Sequence, residues 1–168
     1  MGRWWRWRPI AEVLVSKASE QARALVAEAR LGSLATRDDE NVFATLVAIA
    51  DDGAGRPLLV LSNLAEHTQR LRRFPQASIL VVADRPDSSG QAGGTLDRPR
   101  VTLTGKVRFL EPAERPDAIA RFLARHPEAS QYVDLPGFGP ARLELEKVHF
   151  VGGFARASAI PLGEYAGE

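Results

Sequence analysis

The stretch Leu58–Leu80 (LLVLSNLAEHTQRLRRFPQASIL) does most to restrict the fold, because its periodicity changes twice over a short distance. It begins as an apolar strand, Leu58 to Leu61, and breaks at Ser62-Asn63. A short helix then places Leu64, Thr68, Leu71 and Phe74 on one side, close to helical spacing. Asn63 and Glu66, three residues apart, match a capping box and set the helix start at Leu64. Pro75 stops the helix, and a second apolar strand, Ala77–Val82, follows directly. A helix start offers free N–H groups and a positive dipole end to an anion, and Ser62, Thr68 and Arg70 cluster there. An ordinary capped connector helix would read the same way.

On either side of this unit the chain is rich in strands. Ala11–Arg30 reads as one helix, with Gly32 placed as its stop. Leu31–Thr36 and Val42–Ala50 read as strands separated by the polar turn Arg37–Asn41, and Asp51–Pro57 reads as a hairpin turn. Arg100–Leu110 alternates, with Val101, Leu103, Gly105, Val107 and Phe109 on one face, and is expected to be a long strand. Ala113–Tyr132 is helical with a break at His126-Pro127, and Arg142–Val151 is the last strand. Between them Ala83–Pro99 is the longest loop. It is Gly-rich, yet it lacks the Lys-Ser/Thr ending of a phosphate loop, and no helix follows it. Hairpin-linked strands without regular strand–helix alternation argue against a doubly wound parallel sheet. The expected fold is mainly β (α+β): a six-stranded antiparallel barrel with flanking helices. One domain spans residues 11–168 behind a disordered extension, residues 1–10.

Composition narrows the function. Lys and Arg number 22 against 21 acidic residues, a balance that argues against a nucleic-acid binder. The absence of cysteine excludes disulfides, thiolate catalysis and Cys-ligated metal, and fits a cytoplasmic location. No apolar run approaches the roughly 20 residues of a membrane span. The segment MGRWWRWRPI holds all three tryptophans and lacks a signal-peptide core. The three histidines fall in separate elements without a second ligand at helical spacing, so no metal site is expected. His126 is expected at the surface and His149 facing solvent or a subunit contact. His67, in the first turn of the short helix, is the one nearest a ligand. With no Gly-x-Ser-x-Gly elbow, any chemistry would come from a cofactor.

Seven segments then occur in a telling order: LGSLAT (Leu31–Thr36), VFATLV (Val42–Val47), PLLVLSNLAEHT (Pro57–Thr68), FPQASILV (Phe74–Val81), PRVTLTGKV (Pro99–Val107), HPEA (His126–Ala129) and VGGFARA (Val151–Ala157). From Gln21 to about Ile160 the chain resembles the FMN-binding split β-barrel proteins related to pyridoxamine 5′-phosphate oxidase, and above all the HugZ-like haem-utilisation subgroup. The resemblance implies a homodimer with FMN at the subunit interface, and an FMN-dependent oxidoreductase of unknown substrate. Haem binding or degradation, or a non-catalytic flavin carrier, are the alternatives, and F420 can replace FMN in some relatives. It places Ala44 and Thr45 beside the flavin, and Ser62 and Asn63 near its phosphate and ribityl chain. Thr68 falls at a phosphate-binding position and Arg100 at a flavin-contacting one, with His67 and Arg70 nearby. Where the subgroup reads HTRN, this chain reads His67-Thr68-Gln69-Arg70. The arginine is thus displaced by one position, which turns a helical side chain by about 100°.

Overall fold

The alternating segments pair into one antiparallel sheet, seen in a computed structural model that describes residues 10–84, 95–153 and 157–167. The Trp-rich segment over residues 1–9 lies outside the described residues. In chain order the elements are α1 (Ile10–Glu28), β1 (Leu31–Arg37), β2 (Val42–Ala48), β3 (Ala50–Asp51), β4 (Pro57–Ser62), α2 (Glu66–Arg73) and β5 (Gln76–Val82). There follow β6 (Arg100–Phe109), α3 (Arg115–Arg125), β7 (Phe138–Val151), β8 (Ala157–Ile160) and α4 (Leu162–Ala166). The strand order is β2-β1-β5-β6-β7-β4-β3, with β8 on the side of β7, and β2 packs near β4 so that the sheet curls into a half-barrel.

Among the described residues the strands number eight rather than six. Val42–Ala50 divides at Ile49, whose N–H turns to the Arg30 carbonyl at 2.9 Å, so that Ala50 and Asp51 pair with β4 instead. β8, built from ASAI, is too short and too small in its side chains to announce itself by alternation.

Register explains the core. Leu34, Ile79, Leu103 and Val148 stand opposite one another in a row across β1, β5, β6 and β7, all buried. Ala18, Ala22 and Val26 of α1 pack into this layer. A second cluster joins Ala118 and Phe122 of α3 to Ala50 and Leu58. Each large apolar side chain buried this way contributes about 1.5–3 kcal/mol. Gly105 sits at a register shift between β6 and β7, where a Cβ would lie 1.9 Å from the Glu144 carbonyl oxygen. Gly32 is not the stop of α1, which ends at Glu28. It lies within β1, where a Cβ would meet Ile79 Cγ2 at 2.7 Å, so the glycine lets the strand approach the core.

Two local expectations need correction. The helix after β4 starts at Glu66, two residues beyond Leu64, and has no side-chain cap. The Asn63 N–H that a capping box would engage already donates to the Gly137 carbonyl at 2.7 Å. Its Oδ1 accepts from Arg72, and Glu66 turns to Arg70. His126 is buried at 3% exposure rather than at the surface. The chain break after α3 turns its ring inward, with Nε2 2.8 Å from the Ile49 carbonyl, which makes Nε2 the protonated nitrogen.

An ion-pair lattice ties α3 to the sheet. Arg108 donates to Glu114 at 2.7 and 2.8 Å and to Glu144 at 3.1 Å, and Arg142 donates to Glu144 at 2.9 Å. The Arg108 guanidinium holds the Glu114 carboxyl down to about 2. Its folded pKa is therefore below its unfolded value near 4.5, so its stabilisation is present above that pH and is lost as pH falls towards 2. The expected result is that Glu114→Gln lowers the melting temperature at neutral pH but converges with the unsubstituted protein as pH drops through this window. Parallel curves across that window would contradict it.

Candidate functional site

The candidate site has two parts, the start of α2 and the outer face of the sheet. β4 carries Ser62 to its end, and its Oγ accepts from the Leu64 N–H at 3.3 Å. The Thr68 and Gln69 N–H groups return to the Ala65 carbonyl at 3.0 and 3.2 Å, leaving those of Glu66 and His67 at the open end of the helix. His67 is half-buried, and burial lowers its pKa, so its imidazole favours the neutral form.

Thr68 is fully buried and its Oγ1 has no hydrogen-bond partner. Arg70 Nη1 is buried as well, in charge contact with Asp38 Oδ2 at 3.1 Å but outside hydrogen-bond geometry. Its Nη2 donates to Glu66 at 2.6 Å, and the guanidinium lies 5.0 Å from the centre of the Phe43 ring. Two carboxylates therefore already match the Arg70 charge. Asp38 is kept ionised by the backbone N–H groups of Asn41 and Glu40, which lower its pKa. Asp38 and Phe43 went unnoticed in the sequence, because only tertiary packing brings them to Arg70.

An unpartnered buried hydroxyl costs about 1–3 kcal/mol. Thr68→Val, which keeps the shape and removes that hydroxyl, is therefore expected to stabilise the unliganded protein by about 1 kcal/mol, or roughly 2–4 °C in melting temperature. A fall in melting temperature would show that the hydroxyl has a partner in solution.

The outer face of β1, β2, β5 and β6 is apolar and open. Val42 is 78% exposed and Leu46 64%, and Leu31, Leu80 and Val82 are exposed beside them. Among the described residues β2 pairs with β1 alone, so it forms a sheet edge. Ala44 lies exposed on this face, whereas Thr45 points to the other side opposite Leu34 and is half-buried. Ser33, Thr102 and His149 share the outer face, since Leu80 stands opposite Ser33 and Thr102, and Thr102 opposite His149. His149 is exposed.

Arg100 lies on the outer face too, opposite Val82 and two residues before Thr102, but at the far end from α2. It opens β6 opposite Val151, and its guanidinium donates to the carbonyls of Leu96 and Arg98 at 2.8 and 3.2 Å. Ser62 pairs with Phe138 at the other end of β7, about 40 Å of strand path away at roughly 3.3 Å per residue. The chain thus brings Ser62, His67, Thr68 and Arg70 to the start of α2, turns the Asn63 side chain to Arg72, and leaves Arg100 at the opposite end of β7.

In kind, these donors suit a phosphate. The Ser62 hydroxyl, the two helix-start N–H groups and the unpartnered Thr68 hydroxyl can all donate, although the Arg70 charge is already matched. A flat apolar ring suits the outer face, and His149 on that face is a donor that iron accepts. Among the described residues no group of His, Asp or Glu side chains forms a metal cluster. Nor is any helix long and apolar enough to cross a membrane.

The curled antiparallel sheet with flanking helices is a split β-barrel. It shares its fold with a putative pyridoxamine 5′-phosphate oxidase from Listeria innocua, which is 14% identical, with a TM-score of 0.61 over 80% of this chain and 98% of that chain. Residues 14–167 match the CREG β-barrel family, and the chain belongs to it. It is 32% identical over 124 residues to the non-canonical heme oxygenase HOZ, chloroplastic, of Arabidopsis thaliana, covering 74% of this chain and 36% of that protein. A heme binding protein from Mycobacterium smegmatis is 32% identical, with a TM-score of 0.80 over 96% of this chain and 62% of that chain. The chain thus spans about a third of the first relative and under two thirds of the second.

Proposed function

We propose that the protein is a homodimer that binds haem between the outer sheet faces of its two subunits. The observation that carries this reading is the likeness, at 32% identity across 96% of the chain, to a heme binding protein. The exposed apolar face supports it, because a patch of that kind is characteristic of an interface or a ligand surface. Two copies meeting there would bury the β2 edges and bring the Arg100 end of one sheet towards the α2 start of the other. Leu46 and Leu80 would pack the porphyrin ring, and His149 would hold the iron. Bound haem supplies redox chemistry; these side chains bind it, orient it and exclude water.

The unpartnered donors at α2 favour a second reading, FMN binding with flavin-dependent oxidoreductase activity on an unknown substrate. In that case Ser62 and Thr68 would hold the phosphate, with Ala44 and Thr45 beside the ring. Titration of the purified protein with hemin and, separately, with FMN distinguishes the two. The haem reading expects a Soret band that shifts in His149→Ala, with free flavin fluorescence undiminished. The flavin reading expects quenched FMN fluorescence that Thr68→Val restores, with riboflavin less affected by that substitution.

A further inference from the structure

We propose that the cleft between the end of β4, the β6–α3 turn and the start of β7 binds a small organic anion, one carboxylate or phosphate on an apolar body. The cleft encloses about 310 Å³, at the small end of the range for ligand sites, which suits a single ring better than a nucleotide. Leu61, Phe109, Pro112 and Phe138 give it apolar walls, and Arg72 and Arg115 give it charge. Among the described residues no carboxylate lines it. A neighbouring cleft, by contrast, is lined by Asp52, Glu114 and Asp117 as well as Arg121 and Arg142.

Both guanidiniums donate their hydrogen bonds to neutral groups. Arg72 lies over the Phe109 ring, 4.6 Å from its centre, and donates to Asn63 Oδ1 at 2.7 Å. Arg115 donates to the carbonyls of Val133 and Phe138. Among the described residues no carboxylate lies within ion-pair distance of Arg72. Asp134, 3.6 Å from Arg115, is 87% exposed, and water screens it. Fixed, unneutralised guanidiniums beside an aromatic wall form a preorganised anion site. Asn63 turns its side chain to Arg72 at this cleft, whereas its neighbour Ser62 is not among the cleft's lining residues. The site is therefore separate from the haem face and does not rest on that reading.

Calorimetric titration of the full-length protein with phenyl phosphate and with benzoate, in phosphate-free buffer, tests the proposal. One of the two probes is expected to bind with a dissociation constant below about 1 mM, and inorganic phosphate roughly tenfold more weakly for want of an apolar body. Arg72→Gln should weaken the organic probe by about tenfold or more, while lowering the melting temperature by no more than about 2–4 °C and leaving hemin binding unchanged. Arg73→Gln, at a neighbouring exposed position paired with Asp39, should change nothing. Replacing Arg115 removes two backbone bonds and endangers folding, so Arg72 carries the test. Absence of binding by either probe, or equal binding to Arg72→Gln, would overturn the proposal whatever the hemin result.

Discussion

Gly105→Ala should leave little soluble, folded protein. An alanine Cβ at this position would sit 1.9 Å from the backbone oxygen of Glu144, and backbone cannot swing away as a flexible side chain can. Relief requires β6 and β7 to part, and these strands pair over the whole length of β6 at the centre of the sheet. Their separation would disturb Leu103, Val107, Leu143 and Val148 together. The expected cost is about 4 kcal/mol or more, among the largest for a single substitution, and roughly 10 °C or more in melting temperature. Circular dichroism of whatever protein remains soluble measures it. A melting temperature within a few degrees of the unsubstituted protein would show that the bulge can absorb a methyl group.

The second large effect falls on assembly rather than folding. Leu46 is exposed on the edge strand β2, so Leu46→Asp removes little from the core of one subunit. In the proposed dimer the same position is buried against the partner, where a carboxylate without a counter-charge is strongly disfavoured. A cost near 3 kcal/mol would weaken dimerisation by roughly a hundredfold. Sedimentation at micromolar concentration should show a dimer for the unsubstituted protein and, for the variant, a monomer that circular dichroism shows still folded, its melting temperature lowered only by the lost association. Hemin uptake should fall with it. A dimer that survives Leu46→Asp would move the interface to another face.

What the sequence revealed depended on how local each cause was. The alternation of Arg100–Leu110 reads directly onto β6 because every second residue enters one core. The capping pattern at Asn63 failed because its N–H is taken by Gly137, distant in sequence. His126 looked like a surface residue before a proline, and only the turn after α3 reveals that its ring reaches the Ile49 carbonyl. The contiguous part of the site, Ser62 to Arg70, was legible as one segment. The pairing of Arg70 with Asp38 and Phe43 was not, since it depends on how α2 lies on β1 and β2. Arg100 reads as a neighbour of that segment only through resemblance, and register places the two at opposite ends of β7. The apolar outer face escaped notice for a similar reason. Leu31, Leu46 and Leu80 are scattered in the chain and become one patch only when β1, β2 and β5 pair.

The central claim, haem held by a dimer on that outer face, is tested most directly by hemin titration followed in the analytical ultracentrifuge at the Soret wavelength. The expected result is a saturable Soret band that sediments with the mass of two chains, and that is displaced in position or lost in His149→Ala. Hemin that sediments freely, or that co-sediments with a monomer and is indifferent to both Leu46→Asp and His149→Ala, would contradict it.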